Sequence, residues 1–325
     1  MKLLFVVSGN AEAFSISPFV KAQGEVLMER GVQLSYFRIE GRGLKNYCKN
    51  IYYLKKYIKK NKVDLIHAHY SLCGWVAALA SRKIPVVLSL MGDDAQGTFV
   101  GKQKIKFSSR FFMLLTWLVQ PFVKAIISKS SDLEKIVYRK KISYIIPNGV
   151  QLNKFIASES GFRNELGLKK EIKYILFLGS PVDVNKNYTL AQAAVGLLDR
   201  RDVELINIYN SDTENVVKYL NSVDVFVLCS FGEGSANVIK EAMACNCPMV
   251  VTNAGDAAWV IGDEPGCFIS SYDPALFAGD LACALDYAKN HHRTNGRKRI
   301  CDLGLDADSV SEKIMLVYYK VLGNQ

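Results

Sequence analysis

Two glutamates, Glu233 and Glu241, stand eight positions apart around a short polar turn, Gly234-Ser235-Ala236-Asn237. Glu233 follows the apolar strand pattern Val225–Cys229, and Glu241 falls about two turns into the helix that comes next. Ser235 is the expected N-cap. Val238 rather than Glu or Gln fills the third helical position, so no capping box closes the helix start. Open backbone N–H groups at a helix tip, flanked by glycines, suit an anion such as phosphate. At about 1.5 Å per residue, Glu241 sits roughly 9 Å along the helix. That reach suits a ribose while the tip faces a diphosphate and Glu233 faces a sugar.

Other residues able to do chemistry sit at strand ends. His67-Ala68-His69-Tyr70 closes one strand pattern, and the two imidazoles are expected on opposite faces, with His69, nearer the strand end, turned to the ligand side. Leu90-Met91-Gly92-Asp93-Asp94 closes the next. Asp93 or Asp94 could bind an acceptor hydroxyl or take its proton. With four histidines in all and no clustered partner ligands, a metal centre is not expected. Cys245 and Cys247 lack the second Cys/His pair of a zinc site, and the eight scattered cysteines read as free thiols of a reducing cytosol.

The elements that must hold these groups alternate throughout. Strand patterns at Leu3–Val7, Val32–Phe37, Leu65–His67, Pro85–Leu90, Ala125–Ile127 and Tyr144–Ile146 are separated by helical spacing, as at Phe19–Arg30, Asn50–Lys60 and Leu72–Ala80. A second set follows: strands at Tyr174–Leu178, Glu204–Ile208, Val225–Cys229, Met249–Thr252 and Cys267–Ile269, with helices near Tyr188–Leu198, Thr213–Leu220, Asn237–Cys245 and Pro274–Lys289. This is α/β architecture, two doubly wound Rossmann-like domains whose ligands belong at the carboxyl ends of the strands. The expected boundaries are 1–150, a polar linker at 151–171, a second domain at 172–308 and a terminal helix at 309–325. A dinucleotide oxidoreductase is disfavoured, because Ser8-Gly9-Asn10-Ala11-Glu12-Ala13 has one glycine where that fold needs three.

Charge is uneven along the chain. The net +10 divides into +15 over residues 1–150 and −5 over the rest. Lys45–Lys62, with Tyr47, Ile51, Tyr52, Leu54 and Ile58 among its lysines, and Lys102–Arg110, leading into the apolar run Phe111–Val123, read as two basic helices. Such helices suit an anionic membrane surface. No nucleic-acid motif accompanies the charge. The apolar run is too short to span a bilayer, and the amino terminus reads as a strand rather than a signal peptide. A cytoplasmic protein, peripheral on the inner face of the plasma membrane, is the expectation.

The block Phe231–Ala244, continued through Cys245-Asn246-Cys247-Pro248 and the Gly-rich turn at Asn253–Asp256, resembles the glutamate–seven residues–glutamate motif of the family 4 retaining glycosyltransferases. The resemblance implies the GT-B fold, two domains facing across a cleft, with the last helix returning to the first. It implies a retaining, metal-independent transferase with no cofactor, moving a sugar from a UDP- or GDP-sugar to a glycan or a lipid-diphosphate-linked acceptor in bacterial surface polysaccharide assembly. On this pattern Glu233 and Lys186 serve catalysis beside His69 and Asp93. The donor meets Glu241, Gly234, Ser235, Ala236, Asn237, Gly9 and Ser180, and the acceptor meets Asn10, Tyr70 and Asp94. Asn148-Gly149-Val150 resembles the segment between the domains. Two departures stand out: Ser180 holds the place of the family's arginine, and Met91 that of a frequent histidine. They keep open a degenerate sugar-binding or complex-assembly module. A nucleotide-sugar epimerase is the other alternative.

Overall fold

The computed structural model describes residues 1–10, 15–158 and 162–323. Ala11 and Glu12 of the loop after the first strand, residues 159–161 of the expected linker and the last two residues of the terminal segment lie outside the described residues. The chain forms two compact units, one of residues 1–98, 106–149 and 307–325, the other of 99–105 and 150–306.

The first unit runs β1 (Lys2–Ser8), α1 (Pro18–Glu29), β2 (Gln33–Ile39), α2 (Leu44–Lys60), β3 (Leu65–His69), α3 (Ser71–Ala80), β4 (Val86–Ser89) and α4 (Asp93–Gln96). A hairpin, β5 (Phe99–Gly101) with β6 (Lys104–Ile105), interrupts it, and α5 (Ser109–Val119), β7 (Ala125–Ser128), α6 (Ser131–Glu134) and β8 (Ser143–Ile145) complete the sheet. All six strands of the order β2-β1-β3-β4-β7-β8 pair in parallel. Continuous apolar runs such as Leu3–Val7 suit central strands covered on both faces, and here both faces carry a buried cluster.

The second unit runs β9 (Lys173–Leu178), α7 (Tyr188–Leu197), β10 (Val203–Ile208), α8 (Thr213–Ser222), β11 (Val225–Leu228), α9 (Asn237–Ala244), β12 (Met249–Thr252), α10 (Ala257–Ile261), β13 (Cys267–Ser270), α11 (Pro274–His291) and α12 (Gly296–Asp302). Its sheet, β10-β9-β11-β12-β13, is parallel too. The last helix, α13 (Ala307–Leu322), belongs to the first unit, where its Tyr318 hydroxyl lies 2.6 Å from His67 Nδ1. In each sheet the strand order reverses beside the first strand, between β1 and β3 and between β9 and β11. Ligands of doubly wound sheets bind at such points, beyond the carboxyl ends.

Three local expectations are corrected. Residues 102–108 are not helical: Phe99–Ile105 forms the antiparallel hairpin with Lys102-Gln103 at its turn, Gln103 at φ +58°, and packs with the second unit. Aromatic and β-branched residues around a two-residue turn favour that hairpin over a helix. The basic helix α2 does form, but the apolar face read as membrane-facing, with Tyr47, Ile51, Leu54 and Ile58, packs on the first unit's core. Tyr52 and Tyr53 stay outside with the lysines, Lys56 lying 4.8 Å from the Tyr52 ring centre. His67 and His69 share one face, their rings stacked at 4.2 Å, because residues two apart on a strand point the same way.

All eight cysteines are free. Among the described residues no helix is long and apolar enough to cross a membrane.

Candidate active site

Two loops at the β9–β11 reversal build the site of the second unit. After β9 the chain passes Gly179, at φ +154°, and Ser180 into a short 3-10 turn, Val184–Lys186, whose Asn185 N–H donates to the Asp183 carboxylate. After β11 it passes Ser230, Phe231 and Gly232 to Glu233. Asn185 laces the two loops together. Its side-chain amide donates to the Gly232 carbonyl at 2.9 Å and its oxygen accepts from the Gly232 N–H at 3.1 Å, while the Phe231 N–H reaches the Asn185 carbonyl at 2.9 Å. These bonds set Lys186 against Glu233, with Nζ 2.6 Å from Oε1, both side chains partly screened from solvent. Sequence reading named Lys186 and Glu233 separately; Asn185, which brings them together, it passed over. Its place between Asp183 and Lys186, in a turn where short amides bond backbone, was the available signal.

Two glycines permit close approach. A methyl at Gly255, where φ is +64°, would stand 2.6 Å from the Glu233 carbonyl oxygen, and one at Gly232 would stand 2.2 Å from the Phe99 ring of the hairpin. The Glu233 loop is thus clamped between the Asn253–Asp256 turn and β5.

Helix α9 starts at Asn237 with Ala236 as N-cap and no side-chain cap. The expected cap, Ser235, turns inward instead. Its hydroxyl donates to Asp256 Oδ2 at 2.6 Å and accepts from Lys240 Nζ at 2.7 Å. The Lys240 ammonium, a charged donor, outcompetes a helix amide N–H for the hydroxyl oxygen, while the Asp256 carboxylate, fixed by the turn after β12, takes the hydroxyl proton. Ser235 therefore offers a ligand its backbone, not its side chain. Gly234 and Ala236 are buried beside it, and Asn237 is half-buried at the first helical position.

Glu241 lies further along α9, half-buried. Burial pushes its carboxyl up to about 7, against a smaller pull from the Lys240 ammonium. Among the described residues no hydrogen bond or ion pair holds it.

The first unit has its own pocket at the β1–β3 reversal, a cavity of 560 Å³ lined by Ser8, Asn10, Arg42, Tyr47, His69 and Tyr70 among others. His69 is 4% exposed, and neither ring nitrogen has a hydrogen-bond partner. Burial and the nearby Lys129 charge push its pKa well below the ordinary range, so the ring is neutral, with one nitrogen able to donate and the other to accept. Burial, then its neighbours His69 and Lys129, push the His67 pKa well below the ordinary range, and both its nitrogens are engaged, by Tyr318 and by Ser89 at 2.8 Å. Tyr70 bends the chain from β3 into α3 at φ +88°, a strained conformation for an aromatic residue. Met91 lines the cavity too, and Asn10 donates to the Gly41 carbonyl at 3.2 Å. Gly9 follows β1 and donates its N–H to Ile39.

The two aspartates separate. Asp93 is exposed at the start of α4. Asp94 is fully buried, its carboxylate accepting from the N–H groups of Ser71 at 2.8 Å, Met91 at 3.0 Å and Gly92 at 3.1 Å. The expectation of an acceptor contact at Asp94 is corrected: its oxygens hold the start of α3 and the β4–α4 turn. Burial alone raises its pKa, and the three amides oppose that rise.

Two parallel doubly wound units, with a glutamate pair astride a Gly-rich strand–loop–helix turn in the second, define a glycosyltransferase of the GT-B fold. The chain belongs to that class: the family described as Glycosyltransferase Family 4 matches residues 18–154, and the one described as Glycosyl transferases group 1 matches residues 175–286. It is 27% identical over 227 residues to TuaC of Bacillus subtilis (strain 168), a glycosyltransferase assigned to teichuronic acid biosynthesis; the match takes in 61% of this chain and spans only 55% of TuaC. It is 26% identical over 315 residues to the Escherichia coli UDP-Gal:alpha-D-GlcNAc-diphosphoundecaprenol alpha-1,3-galactosyltransferase, covering 85% of this chain and 80% of that one. In fold it matches Anabaena Alr3699/HepE in complex with UDP-glucose, with a TM-score of 0.74 at 16% identity over 98% of this chain and 100% of the other.

Proposed function

We propose that this glycosyltransferase takes a sugar from a nucleoside diphosphate sugar, with uracil or guanine as the base. It passes that sugar, with its anomeric configuration retained, to a hydroxyl of a glycan or lipid-diphosphate-linked acceptor in surface polysaccharide assembly. The observation that carries the reading is the Lys186–Glu233 pair, held by Asn185 at the uncapped start of α9. A diphosphate would compete with the carboxylate for the Lys186 ammonium and for the helix tip, leaving Glu233 to the sugar hydroxyls. Charge growing on the departing phosphate is then met by groups already in position, which lowers the barrier. That cation and that tip take the part a divalent metal plays elsewhere, so no metal enters the proposed reaction. Glu241 would hold the ribose. In the second unit Ser180 would border the diphosphate, and in the first unit His69, with Asn10 and Tyr70 in the cavity, would meet the acceptor beside Asp93.

The printed name of the E. coli relative joins a UDP-sugar to a lipid-diphosphate acceptor, and HepE was crystallised with UDP-glucose; both support the donor and acceptor chosen here. For such an acceptor the enzyme would work peripherally on the inner face of the plasma membrane. The outer lysines of α2 and the exposed Phe111, Leu114, Trp117 and Phe122 of α5 and its end supply cations and apolar anchors for anionic lipid.

The test is sugar transfer from UDP- and GDP-sugars, with and without a lipid-diphosphate glycan acceptor. Lys186→Ala and Glu233→Ala are expected to lower turnover at least 100-fold. Full activity in both variants refutes the reading, and conversion of the donor without acceptor turns it towards an epimerase.

A further inference from the structure

Lys240 is 1% exposed, on the α9 turn just before Glu241. A lysine that deep is rare unless it is paired. Its ammonium donates to Ser235 Oγ at 2.7 Å, and Ser235 Oγ donates to Asp256 Oδ2 at 2.6 Å. Ser235 and Asp256 are each 8% exposed. The relay ties three segments: the helix carrying Glu241, the loop carrying Glu233, and the β12–α10 turn, whose Gly255 leaves no room for a methyl beside the Glu233 carbonyl. Burial works against the charge on both ends, lowering the Lys240 pKa and raising that of Asp256, while each charge steadies the other.

We propose that Lys240 is a positioning residue for the nucleotide sugar. Through Ser235 and Asp256 it holds the Gly234–Ala236 loop at the height where its amides and Glu233 meet a diphosphate sugar. A hydrophobic side chain of similar length would fill the same space, and buried ion pairs are often replaced by apolar residues with no loss of stability. What an apolar replacement cannot supply is a directed bond to Ser235. The relay therefore acts on the shape of the donor loop rather than on the stability of the unit, and it rests on the donor reading above.

The test compares wild type with Lys240→Met/Asp256→Asn, which removes both buried charges together, and with Ser235→Ala, which removes only the bridge. Each is titrated with UDP and GDP by calorimetry, melted, and assayed for transfer. The double variant is expected to melt at or above the wild-type temperature, yet to bind the nucleotide and the donor about 10-fold more weakly, with kcat changed by less than about threefold. Ser235→Ala is expected to lose about 3- to 10-fold in the same constants. Unchanged affinity in Ser235→Ala, or in a folded double variant, overturns the inference and leaves the donor reading intact. Affinity loss in both variants that only follows a fall in melting temperature overturns it as well, since a merely structural relay would do that. A wild-type chain that binds neither nucleotide overturns the donor reading and this inference with it.

Discussion

Replacing Glu241 by Gln should stabilise the ligand-free protein at alkaline pH and weaken its grip on the nucleotide. The first half follows from burial. In the unfolded chain the carboxyl titrates near its ordinary 4.5, and in the folded chain near 7. Between those values the unfolded state has released a proton that the folded state still holds, so stability falls as pH rises. The fall begins near pH 4.5 and is complete above pH 7. At 1.36 kcal/mol per pH unit it reaches a ceiling of about 3 kcal/mol. Solvent reaching the half-buried side chain reduces that to about 1–2 kcal/mol. Gln keeps the volume and carries no charge, so the variant escapes the penalty. At about 2–4 °C per kcal/mol, its melting temperature should exceed that of wild type by about 2–8 °C at pH 8 and match it at pH 4.5.

The second half follows from the ribose contact proposed for the carboxylate. No side chain of the described residues bonds to it, and on the donor reading proposed above it would accept from the ribose hydroxyls. A hydrogen bond to a charged group contributes about 1.5–3 kcal/mol, so Glu241→Gln should weaken UDP or GDP binding at pH 8 by about 10-fold or more. Melting curves across pH 4.5–8, with and without nucleotide, read both effects on one sample. Parallel pH profiles for wild type and variant would refute the burial argument. Equal ligand-induced shifts at pH 8 would refute the ribose contact.

Further outcomes follow from the packing. Asn185→Ala strips the Gly232 N–H and carbonyl of their partners and should cost about 1–3 kcal/mol, with turnover falling as Lys186 drifts from Glu233; an unchanged denaturant midpoint would contradict this. Gly255→Ala puts a methyl 2.6 Å from the Glu233 carbonyl at φ +64°, so donor KM should rise even where the variant folds, and a wild-type KM would show that the loop yields freely. Tyr318→Phe leaves His67 Nδ1 without its partner in a buried site and should cost about 1–2 kcal/mol by chemical unfolding, with donor affinity untouched. Binding to anionic vesicles should fade between 0.05 and 0.5 M salt, at roughly one Debye length of about 14 Å falling to about 4 Å, whereas salt-independent sedimentation would argue against the lysines of α2.

Most of the scaffold was legible because parallel sheets write themselves as continuous apolar runs. β12 (Met249–Thr252) has the bounds its run suggested, and the other sheet strands differ by a few residues at their ends. The hairpin at Phe99–Ile105 was not legible. It is short, and its lysines read as those of a basic helix, although Phe99 and Val100 beside the turn favour a hairpin. The glutamates could be placed on their loop and helix from spacing because local elements set those positions, whereas Lys186 was implied only by the family resemblance and meets Glu233 through the bonds of Asn185. The fates of Ser235, His67 and Asp94 could not be read from spacing, because each is decided by a partner distant in sequence: Asp256, Tyr318 and Ser71.

That division has a physical cause, and it bears on the departures from the family's pattern. A side chain at the end of a strand points where the strand points, so its place follows from periodicity. A polar side chain in a loop goes to the best buried acceptor or donor within reach, and that choice depends on the whole fold. Ser180 and Met91 lie in such loops, at the strand ends where an arginine and a histidine were expected. Their effect on donor and acceptor binding therefore turns on what other groups do nearby. In the second unit the nearby group is the Lys186–Glu233 pair; in the first it is His69, neutral and unpartnered in its cavity. On the donor and acceptor reading proposed above, Lys186 would be left as the cation for phosphate in one unit, and His69 would supply an imidazole for a hydroxyl in the other.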